Sequence, residues 1–158
     1  MAFKYYSISD ALKKVQQYCA YQERCHLEVK NKLLEFGLTT NEINNVIVNL
    51  IEDNYLNEER FAQHFARGKF RMKQWGRVKI GYELRQKQIS TTLIKKALQQ
   101  IDLDEYMLTL LKLYSIYFEK QKGILQVKKI KTQKYLQQKG FEITLINEIS
   151  KTFSLQKQ

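Results

Sequence analysis

The sequence predicts an all-α fold, an elongated, curved array of three tandem three-helix repeats. Three observations carry this expectation. The 158 residues contain no proline and only six glycines, and Leu, Ile, Lys, Gln and Glu are abundant, a composition that favours helices. Apolar residues recur at spacings of three and four, the mark of one helix face. The sequence of apolar stripe, stop and polar cap then recurs at an offset of 51 and again of 52 residues.

Taken in order, Ser9 or Asp10 is placed to cap a first helix that carries Ala11, Leu12, Val15, Tyr18 and Cys19 on one stripe and ends near Gln22. A second stripe, Leu27, Val29, Leu33, Leu34 and Phe36, closes at Gly37, a residue suited to the left-handed backbone beyond a helix. Thr39 and Glu42 have capping-box spacing ahead of Ile43, Val46, Ile47, Leu50 and Ile51. Three short helices are therefore expected over 9–53. Leu33 and Ile43 are answered by Leu84 and Ile94, then by Leu136 and Ile146, with Leu38, Ile89 and Phe141 opening the corresponding connections. Ser90-Thr91-Thr92 and Glu142-Ile143-Thr144 stand where Thr39-Thr40-Asn41 stands in the first unit. The expected units are 1–56, 57–101 and 102–158. Each trio buries little surface alone and gains by stacking on its neighbour, so an extended curved surface follows.

Charge separates these units. The chain carries a net +11, which favours polyanionic partners. Residues 1–56 hold 6 basic against 7 acidic side chains, residues 57–101 hold 11 against 3, and residues 102–158 hold 10 against 6. The middle unit is thus the most basic. Its Arg67, Lys69, Arg71, Lys73, Arg77 and Lys79 fall on either side of Trp75-Gly76, at the junction of two helices, and are expected to form a phosphate-facing ridge. Arg85, Lys87, Lys95 and Lys96 extend it, and Lys128, Lys129, Lys131 and Lys134 add to it from the third unit. Trp75 can stack on a base or pack at the helix junction, and packing is the preferred reading. Tyr5, Tyr6, Tyr82 and Tyr106 are open to the same two readings.

No catalytic constellation is present. Gly76 and Gly81 supply neither a GxGxxG nor a GxxxxGK[ST] pattern, and Asp53, Glu58 and Glu59 are read as helix-terminal acids. His64, between Phe61 and Phe65, is read as a partly buried helix residue. Cys19 and Cys25 are read as packing thiols without disulfide or metal, and no cofactor is expected. Residues 1–6 lack the apolar core of a secretion signal and nowhere do about 18 apolar residues run together, so a cytoplasmic monomer with no membrane contact is expected.

Asn54-Tyr55-Leu56-Asn57-Glu58-Glu59-Arg60-Phe61-Ala62, with Gly76 and Glu83-Leu84-Arg85-Gln86-Lys87, resembles the RecX signature: GYLDDxRFA, a basic run, KxGxxxI and ELxxKGI. Arg24-Cys25-His26-Leu27-Glu28-Val29-Lys30-Asn31-Lys32-Leu33 is similar to the family's RSxxELxxKL. The likeness covers roughly residues 9–153 and is sharpest over 54–89. Asn54 replaces the usual Gly, Asn57-Glu58 replaces Asp-Asp, Gln88 replaces the Gly of KGI, and Cys25 replaces a capping Ser. These positions start or stop helices, so altered caps are expected rather than altered surfaces.

The resemblance implies a cytoplasmic regulator that engages the RecA recombinase filament on single-stranded DNA and limits strand exchange, ATP hydrolysis and coprotease activity. The basic middle and last units would then lie near the DNA phosphate backbone, and the less charged first unit would meet protein. Two other classes compete. A general nucleic-acid-binding helical module with no recombinase partner rests on charge alone, and a scaffold joining only proteins predicts indifference to reversal of the middle-unit charge.

Overall fold

A computed structural model describes residues 5–156. Every regular element among them is a helix: α1 (Ile8–Tyr21), α2 (His26–Glu35), α3 (Thr40–Glu52), α4 (Glu58–Lys73), α5 (Arg77–Gln86), α6 (Thr91–Gln99), α7 (Leu103–Lys120), α8 (Leu125–Gln138) and α9 (Ile143–Gln156). The main helix–helix packing is within α1–α3, within α4–α6 and within α7–α9, as a tandem array of trios requires. The accessible area of 10244 Å² exceeds the roughly 8,300 Å² of a compact monomer of 18.9 kDa.

Local chemistry sets the boundaries. Thr39 and Glu42 form the reciprocal capping box, Glu42 N–H to Thr39 Oγ1 and Thr39 N–H to Glu42 Oε1, both at 3.3 Å. Ser90 accepts from Leu93 N–H at 3.3 Å. The first helix is capped by neither Ser9 nor Asp10 but by Ser7, which accepts from Asp10 N–H at 3.1 Å. The apolar stripe opens only at Ala11, whereas a first turn needs no buried residue, so the cap lies ahead of the stripe.

The repeat is visible in the backbone. Gly37, Gln88 and Gly140 share one register position and all take positive φ, at 83°, 62° and 95°. Behind each, the next amide donates to a carbonyl five residues back: Leu38 to Leu33 at 3.3 Å, Ile89 to Leu84 at 3.1 Å and Phe141 to Leu136 at 3.1 Å. This is the Schellman closure, which glycine enters without strain and Gln88 does not.

Two hydrophobic cores form. One belongs to the first trio and gathers Ala11, Val15, Leu33, Ile43, Val46, Leu50 and Leu56. The other runs without interruption through the second and third trios, from Phe61 and Phe70 through Leu84, Tyr106 and Leu110 to Phe141 and Phe153. Cys25, fully buried in the α1–α2 connection, and the half-buried Leu27 are the first trio's contributions to it.

The second and third trios also share backbone bonds. At the start of α5, Gly76 N–H donates to Lys139 O at 2.8 Å and Val78 N–H to Gly140 O at 2.9 Å. Between them Arg77 N–H donates to Tyr106 Oη at 3.0 Å. A Cβ on Gly76 would lie 2.3 Å from the backbone of Gly140, whereas one on Gly68, inside α4, would meet nothing within 4 Å.

Gly76→Ala is accordingly expected to lower stability by about 2–3 kcal/mol through overpacking, and Gly68→Ala to raise it by about 1 kcal/mol through helix propensity. Gln88→Gly should add about 1 kcal/mol by relieving left-handed strain. Denaturant midpoints at constant m-value measure all three.

Candidate nucleic-acid interface

The period of α4 divides the expected ridge. Arg67 and Arg71 turn one way, lining a small cleft with Gln100 and Glu105, and Arg71 Nε lies 3.5 Å from Glu105 Oε1. Lys69 and Lys73 turn the other way, into a groove of about 570 Å³ between the first and second trios. That groove also holds His64, Phe65, Met72, Glu28 and Lys87. His64 is exposed here, which corrects the expectation of partial burial. Phe61 and Phe65 line the same groove and are buried and half-buried, while His64 between them reaches water.

A lysine cluster sits beside the groove at the junction of the second and third trios. Lys79 Nζ is 4.4 Å and Lys69 Nζ 5.1 Å from the ring centre of Trp75, which packs half-buried against the shared core. Lys139 Nζ donates to Lys73 O at 2.8 Å. Partial burial, and then the like charges of Lys79 and Lys73, hold Lys139 below the ordinary lysine value. Bringing these ammonium groups together creates a site of positive potential that a phosphate would relieve. Lys139 is absent from the expected ridge. Its signal was the repeat itself, since Lys139 occupies the register of Lys87, 52 residues earlier.

Arg77 stands apart from this surface. Its Nη2 lies 2.9 Å from Glu142 Oε2, and its guanidinium lies over the Tyr106 ring at 4.2 Å. Tyr106, fully buried, donates to the same carboxylate. Burial, reinforced by Glu142, pushes the Tyr106 hydroxyl well above the ordinary phenol value. Glu142 occupies the cap position of Thr39 and Ser90, but its side chain crosses to the second trio instead.

The remaining basic residues scatter. Lys96 pairs with Glu59 at 3.5 Å, and Lys87 with Glu28 at 3.6 Å. Arg85 and Lys95 are exposed. On α8, Lys131 and Lys134 face water, while Lys128 is half-buried with its Nζ 4.4 Å from the Phe118 ring centre. Lys129 is half-buried as well. Cys19 and Cys25 are free and buried, with burial pushing both thiols up to about 11. Thiols so protonated are poor nucleophiles.

Residues 57–98 match the family model of the second three-helix domain of RecX. The chain is 32% identical over 134 residues to the regulatory protein RecX of Lactobacillus johnsonii, covering 84% of this chain and 49% of that one. The chain belongs to the RecX family. RecX of Lactobacillus gasseri is 28% identical over 94% of this chain and 55% of its own. The crystal structure of RecX from Lactobacillus salivarius superposes with a TM-score of 0.86 at 23% identity, covering 94% of this chain and 97% of that one. The chain spans about half the length of the two Lactobacillus relatives matched by sequence.

The departures from the RecX pattern now have a physical form. Asn54 and Gln88, standing for glycines, both take left-handed φ, 61° and 62°. Asn57 accepts from Arg60 N–H at 2.9 Å, as the usual aspartate could. Cys25 precedes α2 with no side-chain cap; its Sγ donates to Glu28 Oε1 at 3.3 Å. In this RecX chain no described helix is long and apolar enough to cross a membrane.

Arg77→Ala should cost about 2 kcal/mol, because Glu142 loses its cation in a half-buried site. Arg85→Ala should leave stability within about 0.5 kcal/mol. Thermal denaturation of the two variants separates the structural arginine from the surface one.

Proposed function

We propose that this chain regulates the RecA recombinase by lying as a monomer along the RecA filament on single-stranded DNA, restraining its recombinase, ATPase and coprotease activities without a catalytic step or cofactor of its own. The observation that carries this reading is the one-sided lysine cluster, Lys69, Lys73, Lys79 and Lys139 around Trp75, built where two trios of an extended array meet. Lysines so placed take phosphates without reading sequence, which suits a ligand already coated by protein. We assign residues 57–101 and 102–158 to the DNA side and residues 1–56 to protein. Membership of a family whose named members are regulatory proteins supports the assignment.

Purified protein should lower single-stranded-DNA-dependent ATP hydrolysis by cognate RecA at substoichiometric amounts. No effect at equimolar protein sinks the proposal. Lys73→Glu/Lys79→Glu should weaken the effect at least about tenfold and flatten its salt dependence by about 1.4 log units per log salt, the counterion release of two single-strand contacts. Binding to bare single-stranded DNA as tightly as to the filament favours instead a nucleic-acid module with no recombinase partner.

A further inference from the structure

α8 is longer than its counterparts. α2 and α5 have 10 residues each and α8 has 14, yet all three end at the same register position, so the addition is an N-terminal turn, Leu125–Lys128. That turn adds nothing to the core. Along α8 only Thr132 and Leu136 are buried, while Ile124, Leu125, Val127 and Ile130 are 71%, 61%, 38% and 46% exposed. No side chain caps the helix start. Residues 120–134 carry six lysines and no acid. By helical period Ile124, Val127, Lys131 and Lys134 share one outward stripe, apolar at its start and basic at its end. The helix spans about 21 Å and ends beside Lys139 and the cluster around Trp75.

We propose that the projecting α7–α8 turn is a wedge for single-stranded nucleic acid: lysines along α8 take the phosphates, and Ile124 and Leu125 meet the faces of unstacked bases. A chain of regularly spaced negative charges carrying flat apolar groups complements both halves of this surface. An anionic membrane complements it less well, because a helix lying in a lipid interface segregates its apolar and basic faces. Here the two share a stripe, and the opposite face is packed on α7 and α9. The wedge rests on the nucleic-acid half of the proposed function and needs no recombinase.

The test compares the full chain with Ile124→Ser/Leu125→Ser, whose first substitution supplies the missing cap and so protects the fold. Each is titrated with a single-stranded oligonucleotide carrying 2-aminopurine, with an abasic oligomer of equal length and charge, and with phosphatidylserine vesicles. Unsubstituted protein should bind the base-containing strand about fivefold tighter than the abasic one and change the 2-aminopurine fluorescence. The double variant should keep its melting temperature and salt slope but bind both strands alike. Equal binding of the two strands by the unsubstituted protein overturns the wedge and leaves phosphate binding standing; binding to neither removes the nucleic-acid reading as well. Vesicle binding, or dimerisation in sedimentation, that disappears in the double variant assigns the patch to lipid or to a second copy and overturns it too.

Discussion

The first amides of a helix have no carbonyl within the helix to receive them. In α5 these donors cross to the third trio: Gly76 to Lys139 O, Val78 to Gly140 O and Arg77 to the Tyr106 hydroxyl. The same bonds occupy carbonyls left over at the end of α8, so one contact satisfies both termini and sets a positive helix end against a negative one. It requires close backbone approach. Gly140 meets Lys79 as tightly as Gly76 meets Gly140, since a Cβ there would lie 2.3 Å from Lys79 Cβ. Two glycines, more than any side-chain pair, therefore fix how the second and third trios join. The lysine cluster depends on this join, because Lys73 and Lys79 flank one side of it and Lys139 the other.

The joint between the first and second trios is built differently. Apart from Cys25 and Leu27 it is polar: Arg60 pairs with Glu23 at 2.6 Å and donates to Asn54 O at 3.1 Å, the His26 amide donates to Glu58 Oε2 at 3.3 Å, and Lys87 pairs with Glu28 at 3.6 Å. Partly exposed pairs contribute little and weaken with salt, whereas a shared core and backbone bonds do not. The molecule is thus one two-trio body carrying most of the positive charge, with a nearly neutral trio attached through a softer joint. The groove between them opens along that joint, and its exposed His64 and Met72 are surfaces the fold itself does not use.

The repeat was legible in sequence because it is written in local rules. Leu33, Leu84 and Leu136 hold one buried position, fully covered in all three units, and the stops at Gly37 and Gly140 follow from the backbone conformation they must adopt. Gln88 was legible through the resemblance, where it stands for the Gly of KGI. The site was legible only in composition. Arg67, Lys69, Arg71 and Lys73 alternate along the chain, and alternation in a helix sends neighbours to opposite sides, so a ridge in sequence becomes two faces in space. Arg77 looked equivalent to Lys79, yet its neighbours across the junction, Tyr106 and Glu142, are 29 and 65 residues away and no local pattern joins them. Lys139 was missed for the same reason, because its cluster forms only through the glycine contact.

If the glycine contact is what unites the second and third trios, its amides should open only when that shared core unfolds. Native-state hydrogen exchange at Gly76 and Val78 is the direct measurement. Both amides should exchange with the same free energy and denaturant dependence as Leu84 and Leu110, residues buried in the shared core. Exchange as fast as at the exposed Gly123 turn would contradict the account, leaving the two trios joined by side chains alone and the lysine cluster without a fixed frame.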